Sequence, residues 1–448
     1  MKIIVAGAGI LGYYVAKKLS EEGNDVVVVS PNEEALRRLQ DSLDVGAVVG
    51  KGSSPSALID AGLRSADLLL AVTASDEGNI VACLIAETLH DRIIRVARLH
   101  DPAYLGAQGI IDKSSLSIDL VISPEEAVAD SVLELAGTPG ASDVLEFVGG
   151  RVKAVGVEID DDSPMVGRPL KDLRRAGEKL LVAGVYRREM VSEPSSDLRL
   201  AAGDTVFLVA TPEAVRRAMA RLGKRWVRTR HVIISGGGWE GVAIARRLAA
   251  AGVHTKIIEQ ERSLCERLSE SLHDTLVLHG DGMDQSLLTD EGVQRAEMFV
   301  AALGDERDNI FNALLAKRLG ARRTIALVDT PDYMPFASTM GVDAVVSPLL
   351  SALSPILQFA RRGQVLSVRP LRENIVEGIE FVAVKDAGIV GLPLALLHMP
   401  HGSLVGAVVR GDEVIIPDGS TVINEGDRVV MFARPALMPR LQRLLAPG

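Results

Sequence analysis

The chain has 448 residues, too many for one ordinary core, so roughly two to four domains are expected. Apolar residues make up 47% of it, enough for large cores and too many for a disordered chain. A net charge of −10 and an aromatic share of 3% argue against nucleic-acid binding, which needs a basic face and stacking rings.

Strand Lys2–Ala6 opens the chain and runs into a glycine turn, KIIVAGAGILG, with Gly7, Gly9 and Gly12. No basic and apolar leader pattern is visible, so no secretory signal is expected, and no apolar run nears the ~20 residues of a membrane helix. Helix 11–22 and strand Asp25–Ser30 follow. Pro31-Asn32-Glu33-Glu34 then starts a helix, because proline and acids suit a helix N-terminus. Strand 47–49, helix 55–61, strand 67–72, helix 79–89, strand 93–98 and strand Leu120–Ile122 complete the unit, which closes on Ser123-Pro124. Alternating strands and helices imply a parallel, doubly wound sheet. An apolar helix, 127–135, and a strand-rich segment from about 145 to 222 come next.

Near residue 230 the order begins again. HVIISGGGWEG places Gly236, Gly238 and Gly241 each 229 residues after its counterpart. HGDGMDQSLLTDEGV matches VGKGSSPSALIDAGL, ALGDERDN matches VTASDEGN, and the unit closes on Ser347-Pro348. One glycine fingerprint is a weak signal. Two at equal spacing, each between a strand and a helix, indicate a duplicated nucleotide-binding protein. Apolar helix 349–360 and a second strand-rich segment, about 365–445, follow; INEGDRVVMFARPALM there pairs with LAAGDTVFLVATPEAV in the first. The expected organisation is an N-lobe at 1–123, a C-lobe at 140–224, an N-lobe at 229–348 and a C-lobe at 364–447. The fold class is α/β: two Rossmann-like, doubly wound parallel sheets, each followed by a small α+β lobe.

The glycine turns act through backbone geometry. Gly7 and Gly236 permit the tight turn, Gly9 and Gly238 let a pyrophosphate approach, and Gly12 and Gly241 let helix and strand pack closely. An acid ending the second strand accepts hydrogen bonds from ribose hydroxyls. Glu259 fits that role in the second half, for NAD, NADH or an adenosine nucleotide. Ser30 stands there in the first half, offers no charge, and removes the repulsion that excludes a 2′-phosphate, which Arg37 or Arg38 would then meet. Arg98 ends a strand in the first half where the second has Leu327, and Asp281 stands where the first half has Lys51, so the two sites are not expected to be equivalent. As an alternative, Lys51 and Asp281 are merely solvated loop charges.

Catalysis finds little support. The strand-rich segments are too small for a substrate domain, and only His398 and His401, in a loop-like stretch, supply histidines there. None of the eight histidines has metal-ligand spacing with cysteines or acids, so neither a catalytic nor a metal site is expected. Cys83 and Cys265 read as idle thiols in helices, which suits a reducing compartment.

The motifs GAGILG, VTASDEGNIVAC, RVARLHDPAYL, GGGWEG, GDERDNIFNALLAKRLGA and VGAVVRGDEVIIPDGSTVINEGDRVVMF resemble the Trk-type potassium-uptake regulatory subunits, the TrkA family. The resemblance covers nearly the whole chain. It implies two RCK (regulator of potassium conductance) units, each an N-lobe plus a C-lobe, assembled as a tetrameric ring on the cytoplasmic face of a membrane potassium-translocating subunit. NAD(H) and ATP or ADP are the implied ligands. Their contacts would fall on Gly7, Ala8, Gly9, Ile10, Leu11, Gly12, Ser30, Thr73, Ala74 and Arg98. In the second half they would fall on Gly236, Gly237, Gly238, Trp239, Glu240, Gly241, Glu259, Asp281 and Leu303. In such a regulator the apolar helices 127–135 and 349–360 are expected to pack between neighbouring N-lobes and transmit the change. The alternatives are an NAD(P)-dependent oxidoreductase, a C-lobe receptor for a cyclic dinucleotide, or a structural ring with degenerate sites.

Overall fold

The computed structural model describes residues 1–104, 118–175, 177–187, 190–192, 194–360, 365–371 and 375–445. The first N-lobe comprises β1 (Lys2–Ala6), α1 (Ile10–Glu21), β2 (Asp25–Ser30), α2 (Glu33–Ser42), β3 (Gly46–Val49), α3 (Pro55–Asp60), β4 (Leu68–Ala71), α4 (Asp76–Leu89), β5 (Ile94–Arg98) and β6 (Leu120–Ile122). Its six strands are parallel in the order β3-β2-β1-β4-β5-β6. The order reverses between β1 and β4, and the crevice above such a switch point is where open α/β sheets bind ligands. Strand β4 reads LLLA and is buried on both faces, as a central parallel strand must be.

Helix α5 (Pro124–Gly137) leads into the first C-lobe: β7 (Asp143–Phe147), β8 (Val152–Glu158), β9 (Leu180–Arg187), β10 (Met190–Ser192), β11 (Thr205–Ala210) and α6 (Pro212–Arg221). These strands form an antiparallel sheet in the order β10-β9-β11-β8-β7. The second N-lobe repeats the first with β12 (His231–Ser235), α7 (Trp239–Ala250), β13 (His254–Glu259), α8 (Arg262–Ser271), β14 (Thr275–His279), α9 (Gln285–Asp290), β15 (Met298–Ala301), α10 (Glu306–Arg318), β16 (Thr324–Leu327), α11 (Tyr333–Met340) and β17 (Ala344–Val346). Its sheet order, β14-β13-β12-β15-β16-β17, is that of the first. Helix α12 (Pro348–Ala360) and the second C-lobe complete the chain: β18 (Val365–Leu371), β19 (Val376–Val382), β20 (Ser403–Arg410), β21 (Glu413–Ile415), β22 (Arg428–Ala433) and α13 (Met438–Leu445). The expected lobe limits at 364 and 447 lie outside the described residues.

The chain divides into two compact units. One contains residues 1–127 and 349–360; the other contains 128–348 and the second C-lobe. Each apolar helix therefore serves the N-lobe of the opposite half. Val128, Val132 and Leu135 of α5 share one core with Val232, Ile244 and Met298 of the second N-lobe. Helix α12 clusters with the first N-lobe, where Leu349, Leu353 and Leu357 are 4%, 6% and 3% exposed. Expected to lie between neighbouring N-lobes, these leucines are already buried within one chain.

Inside the larger unit the two C-lobe sheets meet face to face. Phe147 and Phe432 pack edge to face with ring centres 5.9 Å apart, among Leu145, Val209, Leu371 and Val409. The buried Glu380 carboxylate accepts the Val148 N–H at 2.9 Å and pairs with Arg428, so a charge bridges the two lobes.

Candidate functional site

The turn after β1 is fixed by contacts that exclude side chains. Gly7 has φ +127°, donates its N–H to the Val29 carbonyl at 2.9 Å, and has no room for a Cβ beside the Val72 carbonyl. A Cβ on Gly12 would sit 2.0 Å from the Gly7 oxygen. The second N-lobe repeats both constraints: Gly236 has φ +110°, and a Cβ on Gly241 would lie 2.1 Å from the Gly236 oxygen. The middle glycine differs. A Cβ on Gly9 would meet nothing within 4 Å, and one on Gly238 would meet only the end of the Glu240 side chain at 3.8 Å. Each caps the helix that follows with ordinary negative φ. The chain's own packing therefore leaves this position open to a side chain. Free N–H groups at the starts of α1 and α7 face the same space and suit an anion.

Around the turn, Ile10 and Trp239 are exposed, Ala8 and Glu240 are half-buried, and Leu11 and Gly237 are buried. Leu11 thus offers the cleft only its backbone. Across the switch point lie Thr73 and Ala74 after β4, and Leu303 after β15. An asparagine on the next helix clasps each of these loops. Asn79 accepts the Thr73 N–H at 2.9 Å and donates to the Arg98 carbonyl at 2.8 Å. Asn309 accepts the Leu303 N–H at 2.6 Å and donates to the Leu327 carbonyl at 2.9 Å. One residue class thus holds the loops after β4 and β5, or after β15 and β16, at fixed separation in both lobes. Neither asparagine was among the expected site residues, although the same letter stands at matching places in VTASDEGN and ALGDERDN.

An acid three positions earlier adds a second clasp. Burial alone would raise the Asp76 carboxyl, but the N–H groups of Asp101 and His100 and the His100 ring outweigh it and hold it below the usual carboxylate range. In the second lobe Glu306 accepts the N–H groups of Asp329 at 3.0 Å and Thr330 at 2.8 Å.

The ribose-reading positions diverge. Glu259 accepts the Gly237 N–H at 2.8 Å through one oxygen and the Glu261 N–H at 2.7 Å through the other. The carboxylate is thereby held at the rim of the glycine turn, and each oxygen keeps a lone pair for a further donor. Ser30 is 5% exposed, and its hydroxyl accepts the Asn32 N–H at 3.2 Å, so it turns inward. Arg37 and Arg38 lie along α2, each paired with the glutamate one turn earlier. Asp281 is exposed and caps the Met283 N–H at 2.8 Å; Lys51 is exposed. Arg98 is half-buried at the end of β5, and its Nε is enclosed without a hydrogen-bond partner among the described residues. A guanidinium so placed is suited to meet an anion. The two thiols are free and buried; burial pushes Cys83 up to about 12.

The family model described as the TrkA-N domain matches residues 3–124 and 232–348, and that of the TrkA-C domain matches 154–223 and 379–446. The chain belongs to the TrkA family. Among TrkA relatives, the Trk system potassium uptake protein TrkA of Halomonas elongata is 37% identical over 437 residues, 96% of this chain and 95% of that protein. Its namesake from Azorhizobium caulinodans is 36% identical over 450 residues, 99% of this chain and 98% of that protein. A crystal structure of the GsuK RCK domain aligns with 99% of this TrkA-family chain and 94% of its own at a TM-score of 0.60 and 20% identity. The GsuK channel bound to NAD aligns at 0.60 and 18% identity, covering 99% of this chain and 78% of its own. The RCK fold is therefore shared. No described helix is long and apolar enough to cross a membrane.

Proposed function

We propose that this chain is the nucleotide-sensing regulatory subunit of a Trk-type potassium uptake system. It binds NAD(H) and ATP or ADP in its N-lobes, and biases a membrane potassium-translocating subunit on which it assembles as a ring. The observation carrying this reading is the middle glycine, Gly9 or Gly238, whose missing side chain no packing in the chain requires. The names of the relatives and the nucleotides in GsuK structures, NAD in one and ADP in another, support it. The lobes carrying it are bounded at 1–123, 140–224, 229–348 and 364–447.

In this reading the residues divide the work. N–H groups of 8–11 and 237–240 would hold a pyrophosphate, Glu259 a ribose, and Arg98 a phosphate presented from outside its own lobe. This reading makes binding itself the activity and assigns no hydride or proton transfer to either cleft. A nucleotide shifts such a protein only by binding one shape more tightly than another.

The test is potassium flux through the Trk membrane subunit reconstituted with this protein in vesicles. Flux should change on adding NADH or ATP and stop responding in Gly238→Val, whose added bulk would block the pyrophosphate. A response that persists in that variant and in Gly9→Val would refute the reading.

A further inference from the structure

The larger unit holds a second cavity that the nucleotide clefts do not use. It measures about 330 Å³ and lies where the first C-lobe meets the second N-lobe. Glu297, Arg323 and Asp343 line it from just before β15, β16 and β17. These are the starts of the parallel strands, the edge opposite the glycine turn. The C-lobe side is supplied by Ser142 before β7, Glu158 at the end of β8, and Lys224 and Arg225 after α6.

The walls carry four acids and four bases, but these are unevenly paired. Arg323 is buried, and burial lowers its pKa to about 10 against the opposing charges of Asp343 and Asp143. It donates to the Leu135 carbonyl at 2.6 Å and to the Ala141 carbonyl, both neutral acceptors, and pairs with no carboxylate among the described residues. Arg225 and Arg322 are exposed at the cavity, and neither guanidinium has a partner among the described residues. The acids are mostly committed. Asp160 pairs with Lys224 at 2.6 Å, Glu297 accepts the His231 N–H at 2.8 Å, and Asp343 binds Lys317 at 2.8 Å and the Thr324 N–H. Three guanidiniums, one of them buried, thus line the cavity without an ion pair among the described residues, while Asp343 and Asp143 act on Arg323 only from beyond ion-pair distance. A buried unpaired cation is unfavourable unless an anion joins it, and forked guanidiniums fit phosphate oxygens.

A neighbouring cavity of about 290 Å³ shares Ser142, Glu158 and Asp343 and adds the Asp143 carboxylate and the hydroxyls of Tyr186, Thr205, Ser338 and Thr339. A basic end and a hydroxyl-and-carboxylate end therefore adjoin. The first volume alone reaches the lower bound of small-molecule sites, about 300 Å³. We propose that this seam is an effector site for a small phosphate monoester bearing free hydroxyls. Its phosphate would lie against Arg225 and Arg322 above Arg323, and its hydroxyls toward Glu158 and Ser142. Because Arg323 also holds the carbonyls at the end of α5, the occupant would bear on the helix that leads out of the first N-lobe.

The test is calorimetric titration of ribose 5-phosphate into the full-length protein with its nucleotide clefts saturated by NADH. One site per chain is expected, weakened at least ~tenfold in Arg225→Ala/Arg322→Ala, whose clefts NADH still saturates. Both substitutions in the double variant are on exposed side chains, so folding is preserved; circular dichroism checks it. Absent binding, equal binding in the double variant, or displacement of the bound NADH by the ribose ester would each overturn the assignment. Inorganic phosphate binding as tightly as the ribose ester would overturn its hydroxyl-bearing part.

Discussion

The two N-lobes share a frame and differ in what they present on it. Strand order, both packing glycines and the asparagine clasp are the same. At the rim, Glu259 projects a carboxylate where Ser30 turns inward, and Arg98 projects a cation where the second lobe has Leu327. Below the rim, buried Ser235 and Asn312 stand where the first lobe has Ala6 and Cys83. Groups that set the backbone and the open middle glycine are repeated, whereas the side chains at the rim are not. The difference teaches that one scaffold carries two unlike sites.

The shared frame is the first thing to break. Gly241→Ala and Gly12→Ala force a Cβ to about 2 Å from a carbonyl oxygen in their respective lobes. Each should cost ~4 kcal/mol or more by urea denaturation, and a tolerated alanine in one lobe would end the equivalence. The exchange of helices comes next. Leu353→Asp buries a charge beside the first N-lobe, and Val132→Asp does so beside the second, at ~3–5 kcal/mol each. Hydrogen exchange should rise in β1 for Leu353→Asp and in β12 for Val132→Asp; the reverse assignment would contradict the exchange.

Asp76→Asn should cost ~1–2 kcal/mol at neutral pH. The Asp76 carboxyl is held below its ordinary value, so its stabilisation is present above the usual carboxylate range and is lost as pH falls toward the lowered value. The gap between wild type and variant should therefore close in acid. A gap that persists there would assign the effect to packing. The smallest stability effect is expected at the middle glycine. Gly9→Ala and Gly238→Ala should change stability by less than ~1 kcal/mol while weakening nucleotide binding in their own lobes. Loss of stability without loss of binding would return that glycine to the frame.

Much of this was legible in the sequence. Apolar runs such as LLLA and the glycine spacing identify the parallel sheets, because a twice-covered strand needs apolar residues on both faces. The place of Glu259 beside the glycine turn was legible because it ends the second strand of its lobe. The helix exchange was not. An apolar stripe on α5 or α12 shows that a face is buried, but the partner is set by tertiary packing far along the chain. Arg323 was hidden for the same reason. Nothing in Arg322-Arg323-Thr324 distinguishes the exposed arginine from its buried neighbour until the end of α5 closes over it.

The central claim is that the second N-lobe reads the nucleotide through Glu259. Calorimetric titration of NADH into wild type and Glu259→Ala tests it most directly. The account predicts a site on the wild-type chain that is lost in the variant, with the fold unchanged. NADH binding that survives Glu259→Ala undiminished would contradict it and transfer the reading to the first lobe, with Arg98 as its anion-binding group.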